Sequence, residues 1–260
     1  MKILCIIQAR MSSTRLPGKV LKEVGGVPLL QYEINRVRGT EKIDHIVVAT
    51  SIAAESDAIV KLCVKIGVEY FRGSEDNVLN RYYECTKKYL DYDTIIRITG
   101  DCPLIDPKVI NEVIDLYETG HYDYASNVLE ETFPDGMDVE VFSRQALEES
   151  AQEARTKSER EHVTLYMRNQ EKFKKGNLSA AKDYSAYRLT VDNPEDLEVI
   201  KFLIENSASD ASYLDYIELL QKHTDIKKLN MNFMRNEGLA KSLREDGHIP
   251  QGSHNSHTIS

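Results

Sequence analysis

The stretch IIQARMSSTRLPGK, Ile6 to Lys19, passes from an apolar run straight into small, polar and basic residues. Ser12, Ser13 and Thr14 offer hydroxyls there, Gly18 lets a backbone amide approach a ligand closely, and Arg10, Arg15 and Lys19 supply charge. Such a set suits a small anion with several phosphate or carboxylate oxygens, although a basic surface turn has the same composition. The spacing is not that of a Walker A loop, and no G-x-G-x-x-G occurs elsewhere, so P-loop kinases and dinucleotide dehydrogenases lose support. Two carboxylates stand in comparable places: Asp101 in GDCPLID, after the strand-like TIIRIT, and Asp192 in VDNPED, after YRLTV. Paired aspartates could hold Mg²⁺, a hard cation that bridges protein carboxylate to substrate phosphate. Each also has a plain structural use, Asp101 in the turn before Pro103 and Asp192 ahead of a helix start built on Asn193, Pro194 and Asp196.

The rest of the chain must bring those loops together. Apolar β-branched runs alternate with helical patterns from KILCII to TIIRITG, the signature of βαβ units around a mostly parallel sheet. In such a sheet the loops after strand C-termini share one edge, and ligands lie near a switch point. Pro28 and Gly39 punctuate one helix, Asp106-Pro107 and Gly120 another, and Ser74 is the expected cap of EDNVLNRYYE. After residue 121 the rhythm turns irregular and partly antiparallel, with YDYASN and GMDVEVF as strands, helical sequence at 144 to 170, and YRLTV as a strand parallel to the others. Residues 1–229 are read as one domain and 230–260 as a tail or linker, with His254 and His257 solvated.

With 260 residues and 41% hydrophobic content, the chain can bury a real core. Its formal charge is -9, yet its first 22 residues hold Lys2, Arg10, Arg15, Lys19 and Lys22 and no acid. The acidic whole argues against a nucleic-acid-coating surface, while a focused cationic loop suits a small ligand. No apolar run approaches a membrane span and no signal-peptide pattern opens the chain, so no membrane partner is expected and the location is read as cytoplasmic. Cys5, Cys63, Cys85 and Cys102 lack zinc spacing and read as buried free thiols; Cys102 lies beside Asp101 but has no histidine near it in sequence.

Taken together, QARMSSTRLPGKVL with GVPLL downstream, TGDCPLID and RLTVDNPEDLEVI resemble the cytidylyltransferases that activate acidic sugars. The resemblance is nearest to the spore-coat polysaccharide biosynthesis protein F branch, related to acylneuraminate and 3-deoxy-manno-octulosonate cytidylyltransferases, and reaches about residue 205. It implies a three-layer α/β nucleotide-diphospho-sugar transferase fold, a mostly parallel central sheet with a smaller, partly antiparallel subregion. It also implies CTP over the first loop, Mg²⁺ as cofactor, an acidic sugar or related acid as acceptor, and a homodimer joined through residues 121 to 185. Ala9, Arg10, Ser12, Ser13, Arg15 and Lys19 then match the nucleotide loop, Asp101 the aspartate of the G-D motif, and Asp192 the second metal ligand. Arg15, Lys19 and Asp101 would carry the chemistry. Gln8 stands where the sialic-acid and octulosonate enzymes usually carry proline, and their sugar-binding segments have no counterpart in residues 121 to 188.

The remaining candidates come from the residues themselves. Asn77 and Arg81 stand as nucleotide-side groups, with packing along its own helix as the other reading of Arg81. Asp135, Asp138 and Glu140 in FPDGMDVEVF could face the acceptor, although Asp135-Gly136 is also an ordinary turn. His162 in SEREHVTLY reads on its own as part of a polar helix face, and the resemblance adds a substrate contact or a base as its role. Arg97 and Arg188 could clamp an acidic group or pair with an acid to tie strands together. Other chemistries on the same fold are transfer from another nucleoside triphosphate, glycosyl transfer, which releases no pyrophosphate, and nucleotide binding without catalysis.

Overall fold

The computed structural model describes residues 1–247. Its strands are β1 (Ile3–Gln8), β2 (Glu23–Val24), β3 (Val27–Pro28), β4 (His45–Ser51), β5 (Glu69–Gly73), β6 (Thr94–Thr99), β7 (Tyr124–Ser126), β8 (Glu140–Ser143) and β9 (Lys175–Asn177). The α-helices are α1 (Leu29–Val37), α2 (Asp57–Ile66), α3 (Val78–Thr86), α4 (Pro107–Gly120), α5 (Arg144–Glu153), α6 (Lys157–Glu161), α7 (Leu165–Asn169), α8 (Pro194–Asn206), α9 (Tyr213–Lys222), α10 (Thr224–Lys228) and α11 (Glu237–Glu245).

Seven strands form one sheet in the order β5-β4-β1-β6-β8-β7-β9. The β5, β4, β1 and β6 neighbours pair in parallel, β8 runs antiparallel to β6 and β7, and β9 rejoins β7 in parallel. Strand β1 shows why the sheet has two covered faces. Ile3, Cys5 and Ile7 point into one apolar layer with α1, α2, α4 and α8, while Leu4 and Ile6 point into a second with α3, α5 and α7. Full burial of one such aliphatic side chain contributes roughly 1.5–3 kcal/mol, so both faces of the strand stabilise the sheet.

The chain leaves β1 toward β4 and β5, then returns to β6 on the other side of β1. That reversal is the switch point, and Gln8 and Thr99 are register partners at its edge. The loops at 9–18 and 100–106 therefore start side by side. Helix punctuation follows the expected chemistry at two places: Asp106 caps α4 ahead of Pro107, and Asn193 and Asp196 form a capping box ahead of α8.

Three expectations are corrected. YRLTV lies outside the sheet, with a single isolated parallel bridge from Arg188 to Asp135; Leu189 N–H donates to Asp135 O (2.6 Å) and Val191 N–H to Asp101 O (2.9 Å). The edge of β6 that it would need is taken by β8. Asn77, not Ser74, caps α3 by accepting from Asn80 N–H, while Ser74 Oγ accepts from Asn77 N–H. Residues 230–247 do not form a loose tail. Asn230 is buried and donates to Arg188 O (3.2 Å) and Asp196 Oδ1 (3.0 Å), and α11 packs on α6. His254 and His257 lie outside the described residues.

Candidate active site

Beyond β1 the chain turns on itself. Ser13 N–H and Gly18 N–H both donate to Met11 O (2.9 and 3.1 Å), and Gly18 is left-handed at φ 66°. A Cβ at Gly18 would lie 3.1 Å from Met11 Cε, so glycine suits both the torsion and the space. This turn delivers Lys19 into a short 3₁₀ turn whose ammonium donates to Asp101 Oδ2 and Asp192 Oδ1, each at 2.7 Å. The two carboxylates thus converge on one cationic point, from the loop after β6 and from the segment before α8.

The electrostatics of this trio are set by burial and by Lys19. Burial opposes ionisation of Asp101, but the Lys19 ammonium outweighs it and holds the carboxyl at about 2. Burial likewise opposes the charge on Lys19, and Asp101 and Asp192 reverse that, leaving its pKa raised. Asp192 also receives Arg15 (2.9 Å) and Arg188 (2.7 Å). Behind Asp101, Glu33 is fully buried on α1, and its Oε2 accepts from Cys102 N–H at 3.0 Å. Burial, with Asp101 as neighbour, pushes its pKa well above the ordinary carboxylate range. The Cys102 thiol is pushed up too, by burial and then by Asp101 and Glu33, so it is no thiolate.

A cavity of about 560 Å³ opens over this trio. Ala9, Arg10, Ser12, Ser13, Arg15, Lys19, Asp101 and Asp192 line one part of it, and Asp138, Glu140, His162 and Arg188 line the rest. Asn77 and Arg81 do not reach it: Asn77 caps α3, and Arg81 is 1% exposed with its guanidinium donating to Ser74 O at 2.8 Å. The nucleotide role expected for them does not hold, because Asn77 serves as a helix cap and Arg81 is buried away from the cavity.

The acceptor-side candidates divide. Arg188 is no free clamp; it donates to Asp196 (2.9 Å), Asp135 (2.5 Å) and Asp192 (2.7 Å), bracing three carboxylates. Glu140 is 2% exposed, and both its oxygens are occupied, one by Tyr124 (2.6 Å) and Thr164 (2.5 Å), the other by Arg97. It ties the wall together instead of offering an oxygen to substrate. Asp135 sits in a turn closed by Met137 N–H donating to Pro134 O (3.1 Å) and also pairs with Arg188. Burial, with Asp138 adding to it, lifts its pKa to about 7 against the pull of Arg188 and Arg235. Asp138 is held by Arg235, and its carboxyl is raised mainly by burial. His162 faces the cavity with Nε2 3.0 Å from Ser242 Oγ; burial lowers its pKa to about 4, so the ring is neutral near pH 7.

Several contributors were missed in the sequence. Residues 234–245 supply one side of the cavity, with Glu237 on Arg15 and Ser242 on His162. Arg168 lines it as well. Glu33 had a readable signal: it shares the stripe Leu29, Leu30, Ile34 and Val37, an acid at core spacing.

This sheet, with a donor-rich loop and two convergent aspartates at its switch point, belongs to a nucleotidyltransferase. The chain is a member of the cytidylyltransferase family, whose profile matches residues 4–236. It is 37% identical to the spore coat polysaccharide biosynthesis protein SpsF of Bacillus subtilis, over 86% of this chain and 95% of that protein. It is also similar to a solved cytidylyltransferase from Leptospira borgpetersenii, with TM-score 0.84 and 37% identity over 90% of this chain and all of the other. The fold alone is shared with CMP:2-keto-3-deoxy-manno-octonic acid synthetase complexed with CTP (TM-score 0.60, 18% identity, 79% of this chain and 99% of that one). Among the described residues no helix is long and apolar enough to cross a membrane.

Proposed function

We propose that this enzyme transfers CMP from CTP to a hydroxyl of an acidic sugar or related acid, with Mg²⁺, releasing pyrophosphate for surface polysaccharide synthesis. The observation that carries the reading is the meeting of Lys19, Asp101 and Asp192 beneath a loop rich in hydroxyl and guanidinium donors. The cavity volume falls in the range that ligand pockets take. The family membership and the spore-coat relative support the nucleotide and the pathway class.

The reaction makes a bond from the acceptor oxygen to the α-phosphorus, releases the hydroxyl proton to solvent, and breaks the bond from that phosphorus to the oxygen bridging toward the β-phosphate, which leaves with pyrophosphate. Positioning and charge neutralisation dominate such transfers. Lys19 has three N–H donors, of which Asp101 and Asp192 engage two, leaving one for a phosphate oxygen. Arg15 lies beside it on Asp192, and together they meet the charge that builds on the leaving pyrophosphate. Arg10, Ser12, Ser13 and the backbone at Ala9 hold the rest of the nucleotide. Among the described residues no group of three or more metal-binding side chains occurs; Asp101 and Asp192 would hold Mg²⁺ together with substrate oxygens and water, Asp192 by giving up Lys19 or Arg15 to the incoming phosphates. When bound, the ion neutralises phosphate charge. Asp101 suits this because it is ionised at any physiological pH.

The test is a pyrophosphate-release screen of each nucleoside triphosphate against acidic sugars and phosphorylated acids, with and without Mg²⁺. CTP-dependent, Mg²⁺-dependent release with an acid is expected. Equal release without the metal, or preference for another triphosphate, counts against the reading. The protein is also proposed to be a homodimer through residues 121–185, which light scattering checks.

A further inference from the structure

The cavity cations differ in how they are held. Lys19, Arg15, Arg97 and Arg188 each have a carboxylate partner within 3 Å. Arg10 has only Glu161, at 3.9 Å. Arg168, at the end of α7, has neither an ion-pair partner nor a hydrogen-bond acceptor for its guanidinium among the described residues, although it lines the same cavity.

Its isolation follows from how the wall is built. The buried carboxylate in its field is Glu140, and that group is saturated: Oε1 accepts from Tyr124 and Thr164, and Oε2 from Arg97. The backbone under Arg168 is fixed at both ends. Arg168 N–H donates to Thr164 O (2.9 Å), and Lys175 Nζ donates to Arg168 O (3.0 Å) and Gln170 O (2.9 Å). Just upstream, Val163 is fully buried at φ 50°, a conformation disfavoured for a β-branched residue, and Thr164 N–H closes a tight turn onto His162 O at 2.5 Å. That turn aims the Thr164 hydroxyl at Glu140 while the His162 ring faces the cavity. Strain of this sort collects at functional sites. Burial keeps His162 neutral, and Arg97, Arg10 and Arg168 add to it against the opposing pull of Glu161. The cavity therefore has a second group of cations, separate from the Lys19 trio, in which Arg168 feels the field of Glu140 but has no acid in direct contact among the described residues.

We propose that Arg168 anchors the anionic group of the acceptor, a carboxylate or a phosphoryl group, and so selects acids over neutral sugars. A rigid guanidinium fork matches either group with paired N–H donors. The proposal rests on the acceptor being acidic, as argued above, and adds the residue that reads the acid.

The experiment measures pyrophosphate release by the full chain and its Arg168→Met and Arg168→Lys variants. Acceptors are offered in three arms: carboxylate sugars, phosphorylated acids, and neutral counterparts lacking the charge. Arg168→Met should raise acceptor KM about 10- to 100-fold, the loss of a charge-assisted pair, and leave the KM for CTP within about twofold. Arg168→Lys should recover part of the loss, and neutral counterparts should be used equally poorly by wild type and Arg168→Met. Whichever charged arm the wild type turns over names the anionic group. An unchanged acceptor KM in Arg168→Met, with wild-type activity intact, overturns the role of Arg168 alone. A parallel rise in the KM for CTP overturns it too, because it would show a general defect of the site. If wild type releases no pyrophosphate with any acid, the cytidylyl-transfer reading falls and this one with it.

Discussion

Replacing Lys19 by methionine tests the site most directly, because one ammonium neutralises two carboxylates. With Lys19 in place the Asp101 carboxyl lies at about 2 against an ordinary value of 3.8. At about 1.4 kcal/mol per pKa unit that difference is worth roughly 2–3 kcal/mol. It is a lower bound, since burial alone would drive Asp101 above its ordinary value once the cation is gone. Breaking a buried pair from one side commonly costs about 3–5 kcal/mol, so about 3 kcal/mol is expected for a pair that is 12% and 25% exposed. In a chain of this size that lowers Tm by roughly 6–12 °C. The pH dependence has a definite sign. A depressed carboxyl stabilises the native state above its ordinary pKa and loses that contribution as pH falls through the folded value. The gap between wild type and Lys19→Met should therefore be widest near neutrality, begin to close at a pH above about 4, where Asp101 protonates in the variant, and shrink as pH falls toward about 2. Thermal melts across that range measure it, and pyrophosphate release at pH 7 should drop about 10²–10³-fold. A melting gap that does not change with pH, or activity within threefold of wild type, would refute the reasoning.

Asp101→Asn should lower turnover about 10²-fold or more while leaving the circular dichroism spectrum unchanged, and EDTA should abolish wild-type turnover until Mg²⁺ is restored; a near-wild-type rate in either case removes the metal role. Glu237→Gln frees Arg15 from an exposed pair worth at most about 1 kcal/mol, so CTP should bind up to about fivefold tighter by calorimetry, and weaker binding would show that Glu237 assists the nucleotide. Arg188→Met leaves Asp135, Asp192 and the fully buried Asp196 without their shared cation, and urea unfolding should report a loss of about 3–5 kcal/mol; a change under 1 kcal/mol would mean the brace is dispensable.

The parts of this molecule readable from its sequence are those governed by local chemistry. Two helix starts, Asp106-Pro107 and Asn193-Pro194, were visible because capping uses neighbouring residues. The meeting of the 9–18 loop with the two aspartates was visible because each follows or precedes a strongly patterned element, and the sheet order brings the loops after β1 and β6 to one edge. What escaped depended on distant partners. YRLTV has strand composition, but β8 had already taken the edge it needed. Arg188 and Arg168 are both arginines in apolar surroundings, and only the location of Asp135, Asp192, Asp196 and Glu140 makes one a brace and leaves the other unpaired. Residues 230–247 are polar enough to read as a tail, yet Arg235, Asn236 and Asp246 find partners about a hundred positions away on the body.

That last segment carries a temporal consequence. The ribosome delivers residues 234–246 after everything else that lines the pocket, and the body can gather its sheet before they arrive. Until then Asp138 lacks Arg235, His162 lacks Ser242, and Arg15 lacks Glu237. A nascent or clipped chain ending near residue 229 would thus hold the Lys19, Asp101 and Asp192 trio without the enclosure around it, and that wall of the cavity would form only after residues 234–246 had emerged.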